Sequence, residues 1–248
     1  MSPTSGLRSA IAASCMVLAA TGSALALDLT TGDREEIEQV VRQFLLDNPD
    51  VVVEALNIYQ SRQEAAEAEQ QRAQVVANRD DLLFRSTSPV LGNPDGDVTL
   101  VEFFDYQCGY CKRMLDNVFE AIDDDANLRV VFKEFPILGP SSMTAAQAAL
   151  ASQAQGLYTE FHYALMDHRG QLTDDAIFAI AAEVGLDVDR LRADMTSDAV
   201  MGEIRANHAL AQTLGINGTP AFVIGDEVVP GAVGLEVLET MITGARGS

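Results

Sequence analysis

Two cysteines three positions apart, Cys108-Gly109-Tyr110-Cys111, stand where an apolar run gives way to helix-forming residues. That spacing places both sulfurs in the first turn of a helix, near enough to form a disulfide and exposed enough to exchange it. The fold must therefore deliver a strand into a helix start here. Unpaired N–H groups and the positive dipole end at that start lower the pKa of the first thiol. Cys108 is the expected nucleophile, and Cys111, one turn deeper, the thiol that resolves a mixed disulfide.

The third cysteine, Cys15, belongs to a different segment. Around it lie Arg8, an apolar run over 11 to 20, and Ala24-Leu25-Ala26, a small-x-small cleavage signature. The stretch 1–26 reads as a signal peptide. Lipidation of Cys15 is disfavoured, because Ala12-Ala13-Ser14 is a poor lipobox and most of the apolar run follows the cysteine. No other segment reaches the ~20 apolar residues that a membrane helix requires. The expected mature product is exported to the periplasm, soluble, and left with the CxxC cysteines alone.

Export changes what those cysteines mean. A structural disulfide across three residues closes a very small loop and restricts the unfolded chain only modestly. A zinc site needs two further ligands at suitable spacing, and His162, His168 and His208 form no ligand motif. No metal and no cofactor is expected. Redox chemistry of the pair is the reading that remains. The chain carries 16 Lys+Arg and 37 Asp+Glu; loss of the leader removes Arg8 and takes the net charge from −21 to −22. Such a surface repels phosphate backbones and anionic lipid, so nucleic acid is not an expected partner.

Two segments follow the leader. Over 27–59 the pattern is helical: Asp33 and Glu36 fit a capping box, and Ile37, Val40, Val41 and Phe44 recur at helical spacing. A second helix should open at Pro49 with Asn48 as its cap, presenting Val52, Ala55, Leu56 and Tyr59. The stretch 60–79 favours helix but from 60 to 74 offers no large apolar side chain, and it reads as an exposed helical linker. Two apolar stripes in about 30 residues are too few for a core of their own, so they need a partner surface.

From 80 to 248 the chain has the composition of one globular domain. A turn cluster over 92–97 separates two short apolar runs. Strands are expected over 98–104 and 128–135, a long helical block over 141–214 with breaks near Gly170 and Gly185, a hairpin around Gly225-Asp226, and a last helix over 235–243. Strand, CxxC, helix, strand, helical block, hairpin and helix is the order of an α/β thioredoxin fold with a helical insertion.

Three segments carry a family resemblance: the decapeptide from Phe103 to Lys112 with its Cys108-Gly109-Tyr110-Cys111, then Lys133-Glu134-Phe135-Pro136-Ile137, and finally Gly218-Thr219-Pro220-Ala221-Phe222. Together they resemble the DsbA-like thioredoxin family. Phe44-Leu45-Leu46-Asp47-Asn48-Pro49 with Val53-Glu54-Ala55 resembles the N-terminal region of suppressor-of-copper-sensitivity C proteins, a periplasmic branch. The resemblance implies a cis bond before Pro220, leaving Thr219 to present its backbone edge to an extended substrate. It implies a proton-relay role for Glu102, six residues before Cys108 on a strand whose burial raises a carboxyl pKa; the alternative is an outward-facing strand residue. Gly109-Tyr110 resembles the dipeptide of the periplasmic isomerase rather than that of the strong oxidant. Tyr110 could stack on substrate or shield Cys111, Met114 is expected in the core, and Lys133 and Glu134 are expected at the surface or rim. The histidines are assigned no role.

The expected activity is that of an exported thiol-disulfide oxidoreductase, an isomerase or reductase of misfolded cysteine-containing proteins, recycled by a membrane thiol reductase. A dithiol oxidase is the near alternative. A Cu(I)-binding copper-tolerance protein is the alternative from another class: soft thiolates suit that ion, but no Met/His cluster stands beside them. The segment 27–59 is expected to associate subunits, as a homotrimer.

Overall fold

The computed structural model describes residues 30–247; the expected leader, with Cys15, lies outside them. By its contacts the chain divides into two units that meet between Tyr59 and Gln60.

In the first unit, helix α1 spans Thr31–Asp47 and α2 opens at Pro49. The capping box sits one turn earlier than Asp33 and Glu36 would place it. Thr30 is the N-cap: its hydroxyl accepts from the Asp33 N–H at 3.3 Å, and the Asp33 carboxylate accepts from the Thr30 N–H at 2.9 Å. Asn48 ends α1 and does not cap α2 through its side chain, since its backbone N–H and its amide both donate to the Phe44 carbonyl at 2.9 Å. Helix α1 buries no residue. The stripe of Ile37, Val40, Val41 and Phe44 is 48–63% exposed, and Val52, Leu56 and Tyr59 are 42–60% exposed.

Helix α2 continues to Ala77. Residues 60–70 are exposed, but the last two turns are seated in the second unit. There the Gln71 amide donates to the Leu214 carbonyl at 2.8 Å, Arg72 pairs with Glu227 at 2.9 Å, and Val75 is buried. A short helix α3, Arg79–Leu83, follows and buries Leu82.

The second unit is built on five strands: β1 Val90–Gly92, β2 Val98–Phe104, β3 Leu128–Glu134, β4 Ala221–Ile224 and β5 Glu227–Pro230. Their order across the sheet is β1-β3-β2-β4-β5. Strands β2 and β3 run parallel, joined by helix α4, Gly109–Asp124; the other neighbours are antiparallel. The turn cluster at 92–97 is a connection and not a hairpin, because β1 pairs with β3 and not with β2. Gly92 is required there: its φ is +73°, and a Cβ would lie 2.5 Å from the Leu128 carbonyl oxygen. At 225–226 the hairpin forms, with Gly225 at φ +61° and Ile224 opposite Glu227.

The helical block resolves into α5 Pro140–Ser152, α6 Tyr158–Asp167, α7 Asp174–Glu183, α8 Val188–Asp194 and α9 Asp198–Thr213, and α10 is Leu235–Arg246. Helices cover both faces of the sheet. Leu100, Phe104, Val130, Phe132 and Phe222 pack with both cysteines and with α4, α5, α6 and α10. Val101, Phe103, Val131, Phe135 and Val223 pack on the other face with Val75, Leu82, Leu210 and Leu214. Burial on both faces explains why β2 and β3 read as near-continuous apolar runs. Phe104 and Phe132 meet edge to face, with ring centroids 5.7 Å apart.

Candidate active site

Strand β2 ends at Phe104 and releases the chain into a three-residue turn held by Asp105. One carboxylate oxygen of Asp105 accepts from the Gln107 N–H at 2.7 Å. The other accepts from the N–H groups of Ile137 at 2.8 Å and Leu138 at 3.0 Å. The Asp105 carbonyl takes the Cys108 N–H at 3.0 Å. One buried aspartate therefore orients the turn before the cysteines and ties it to the loop after β3. Cys108 is the N-cap of α4, and Cys111 lies one turn in; both are reduced and buried.

The two thiols sit in opposed electrostatic settings. The Cys108 pKa is lowered to about 5, first by a hydrogen bond from the Cys111 thiol. Burial opposes this, while Thr219 and the N–H groups of Cys111 and Tyr110 at the helix start reinforce it. Burial pushes Cys111 far above the ordinary thiol range, helped by its bond to Cys108 and by the charge of Glu102. One thiol is thus held ionised and its neighbour protonated.

Glu102 lies on the sheet face that carries both cysteines. Its alternation with Val101 and Phe103 puts it beside Leu100 and Phe104, and the register places it between Phe132 and Phe222. It is 4% exposed, so the outward-facing alternative does not hold. Burial, and then the charge of Cys108, raise its pKa to about 8.

Across from the helix start, the Thr219–Pro220 bond is cis, and the Cys108 Sγ lies 3.2 Å from the Thr219 carbonyl oxygen, to which it donates only in its protonated form. Gly109 is exposed at the first position of α4. Tyr110 is 59% exposed, with the Arg113 guanidinium 4.1 Å from its ring centroid. Met114 is buried. Cys108, Cys111, Glu102, Gly109, Tyr110, Thr219 and Pro220 are therefore gathered around one helix start and the sheet beneath it.

Lys133 and Glu134 overturn the expectation of surface or rim positions, since both are fully buried. Alternation sends them to opposite faces, which separates Lys133 from Glu102 and Glu134 alike. Lys133 donates to the Asp81 carbonyl and the Ser88 hydroxyl, both at 2.7 Å, and burial pulls its pKa to about 8. On the cysteine face, Glu134 accepts from the hydroxyls of Tyr106 at 2.9 Å and Tyr158 at 3.1 Å, and burial holds its carboxyl well above the usual range. His162 is buried against Tyr106, with Nδ1 3.0 Å from the hydroxyl, and burial lowers its pKa to about 3. In the sequence, Asp105 and Tyr106 stood only within the segment 103–112, with no individual role, and Tyr158 had none. Asp105 alone had a local signal, an acid directly between an apolar strand and a helix start. Among the described residues no three His, Cys, Asp or Glu side chains group as a metal site.

Comparison with known proteins agrees with this geometry. The family model for the DsbA-like thioredoxin domain matches residues 99–243, and that for the copper resistance protein ScsC N-terminal domain matches residues 33–66. A thioredoxin-like oxidoreductase from Silicibacter pomeroyi is 48% identical, covering 69% of this chain and 99% of that one, with a TM-score of 0.68. BcfH of Salmonella enterica Typhimurium is 30% identical over 87% of this chain and 97% of its own, with a TM-score of 0.74. A linker-deletion mutant of Proteus mirabilis ScsC is 28% identical over 90% and 99%, with a TM-score of 0.69. Among curated proteins, the Na(+)/H(+) antiporter NhaA 1 of Salinispora arenicola is 30% identical over 158 residues, 63% of this chain and 24% of the antiporter. The chain thus spans about a quarter of the length of the curated relatives it matches, and no described helix is long and apolar enough to cross a membrane. With a cysteine pair at a helix start, a proline loop against it and both family models matched in order along the sequence, the chain belongs to the DsbA-like thioredoxin family and joins that domain to an ScsC N-terminal domain.

Proposed function

We propose that this chain is a periplasmic thiol-disulfide oxidoreductase of the DsbA/ScsC type, which reshuffles or reduces wrong disulfides in exported proteins. The observation that carries the reading is the pairing at one helix start of a Cys108 thiol with a pKa of about 5 and a buried, protonated Cys111. With such a pKa Cys108 is predominantly thiolate at pH 7. A value near 5 lies between the ~3.5 of a strong periplasmic oxidant and the ~7 of a cytosolic reductant. That intermediate poise suits an enzyme that must both form and release mixed disulfides.

The Cys108 thiolate attacks one sulfur of a substrate disulfide. The substrate S–S bond breaks, a Cys108–substrate disulfide forms, and the second substrate sulfur leaves as thiolate. In isomerisation that thiolate attacks another substrate disulfide, and a substrate thiolate finally displaces Cys108 with no net change of electrons. In reduction, Cys111 gives its proton to Glu102 and attacks Cys108. Both substrate sulfurs leave as thiolates that take up protons from solvent, and the new Cys108–Cys111 disulfide requires a membrane thiol reductase to restore it. Glu102 suits this step because the Cys108 charge helps to raise its pKa. Once Cys108 is in a mixed disulfide that charge is gone, and Glu102 shifts toward the carboxylate when a proton acceptor is needed. Thr219 offers its backbone edge to the bound substrate.

The exposed stripes of α1 and α2, which bury nothing of their own, support association of subunits through this segment, as a homotrimer. Several cysteine pairs would then share one bound chain at raised effective concentration.

Refolding of a scrambled-disulfide substrate tests the activity. The mature chain should restore native pairing without added oxidant, Cys111→Ser should accumulate mixed disulfides, and Cys108→Ser should form none. Faster oxidation of a reduced substrate than reshuffling of a scrambled one would establish the oxidase reading. Light scattering tests the assembly, and a monomeric mature chain would remove it.

A further inference from the structure

At the opposite end of the sheet from Cys108 lies a cavity of about 410 Å³, walled by the start of β2, the start of β3, α3 and the β4–β5 turn. Val98 and Thr99 open β2 there, and Arg129 is the second residue of the parallel strand β3. Cys108 follows the far end of β2, a seven-residue strand or roughly 20 Å away. This cavity is therefore separate from the redox site. Its volume falls within the range of small-molecule sites.

The lining combines two features that together suit an anionic, partly apolar ligand. The first is a cation without an anion. Arg129 donates through Nη2 to the Leu83 carbonyl at 2.6 Å, but its Nη1 is buried and has no partner. No acid pairs with it among the described residues, and burial alone pulls its pKa below the ordinary value. A buried donor left unmade is costly, and more so for a charged group. The second is exposed apolar surface. Phe84 is 66% exposed and Val76 61% exposed, and both line this cavity. The Phe84 ring lies 5.7 Å from the Arg129 guanidinium, so apolar and cationic surfaces adjoin.

We propose that this cavity binds a carboxylate carried on a small apolar group, with the Arg129 guanidinium as anion partner and Phe84 and Val76 as the apolar wall. A carboxylate oxygen supplies the charged acceptor that Nη1 lacks. The net charge of the chain does not exclude an anion here, because charges beyond about 8 Å are largely screened at physiological salt. Of the two acids in the lining, Asp97 is engaged by the Arg246 guanidinium at 2.9 and 3.0 Å. Asp95, exposed in the lining, disfavours ligands of higher negative charge. Two sources share this chemistry, the C-terminal residue of an apolar peptide and a free short-chain acid.

The test is binding to the full mature chain, followed by NMR or calorimetry, with N-acetyl-L-leucine, hexanoate and the neutral N-acetyl-L-leucinamide. The acids should bind at least about tenfold more tightly than the amide and weaken as salt is raised. Preference for N-acetyl-L-leucine over hexanoate identifies a peptide terminus, and the reverse a free acid. Arg129→Met should abolish acid binding while the alkylation rate of Cys108 stays unchanged. Phe84→Ala, on an exposed side chain that folding does not need, should weaken both acids several-fold and keeps the test decisive if Arg129→Met does not fold. Equal affinity for acid and amide, or no binding up to about 20 mM, would overturn the proposal, as would acid binding unchanged in Phe84→Ala.

Discussion

Two buried glutamates on opposite faces of one sheet have met opposite fates. Glu203, 1% exposed, is surrounded: Arg85 Nε donates to it at 2.7 Å, Ser88 at 2.6 Å, and Thr87 adds a third bond. The Ser88 hydroxyl in turn accepts from Lys133 at 2.7 Å. Although burial pushes the Glu203 pKa up, the partners win and hold it below the ordinary value. Glu102, 4% exposed, lies among Leu100, Phe104, Phe132 and Phe222, and burial drives it to about 8. The difference teaches where the chemistry lies. A compensated acid is structure, whereas an uncompensated one beside a thiol is a proton carrier in waiting.

That contrast breaks most visibly at Glu203. Glu203→Ala removes the acceptor shared by Arg85, Thr87 and Ser88, while Arg85 keeps Asp81 at 3.3 Å and Lys133 keeps the Asp81 carbonyl, so chemical denaturation should show a loss of about 3 kcal/mol. The pH midpoint of Cys108 alkylation should stay near 5. A shift of that midpoint would show that the two faces are coupled.

The pH dependence of stability separates the same pair with opposite signs. The folded pKa of Glu102, about 8, lies above its unfolded 4.5. Between those values the native state holds a proton that the unfolded chain has lost, and stability falls as pH rises, by up to about 1.4 kcal/mol per unit. Glu102→Gln should equal the parent below pH 4.5 and exceed its stability increasingly toward pH 8. Glu203, with its folded pKa lowered, contributes stability present above pH 4.5 and lost on acidification. Cys108, depressed to about 5, works against Glu102 by gaining stability as pH rises above 5, so the comparison belongs within one cysteine background.

A smaller effect is expected in kinetics. Glu102→Gln should slow resolution of a trapped Cys108 mixed disulfide by about 10–100-fold near neutral pH while leaving its formation unchanged. Stopped-flow release measured across pH checks this, and a pH-independent release identical to the parent removes Glu102 from the mechanism. The smallest effect is expected at Tyr106→Phe, which deletes the hydroxyl between Glu134 and His162. A loss of about 1 kcal/mol in thermal or chemical denaturation is expected, since Tyr158 still donates to Glu134.

Local patterns were legible in the sequence because they depend on neighbours. The helix start at Cys108, the strand over 98–104, the Gly225-Asp226 hairpin and the breaks at Gly170 and Gly185 follow from spacing, β-branching and turn residues. What could not be read was the facing of side chains on β2 and β3. Where both faces are buried, no polar residue marks the outside, so Lys133 and Glu134 looked like rim residues though neither touches solvent. The capping box was displaced for a related reason: several acids and hydroxyls crowd the start of α1, and geometry selected Thr30 with Asp33.

By itself the sequence determined that a reactive cysteine pair opens a helix after a strand, that a proline loop follows a helical block, and that an acidic surface surrounds them. Tertiary structure alone decided which buried charges are compensated. Asp105 meets Ile137 across 32 residues and Ser88 meets Glu203 across 115, while Arg129 pairs with no acid among the described residues. Such pairings depend on where the sheet register and the helix packing bring distant side chains. A sequence pattern constrains neighbours a few residues apart, and the dielectric setting of a buried charge is set by everything folded around it.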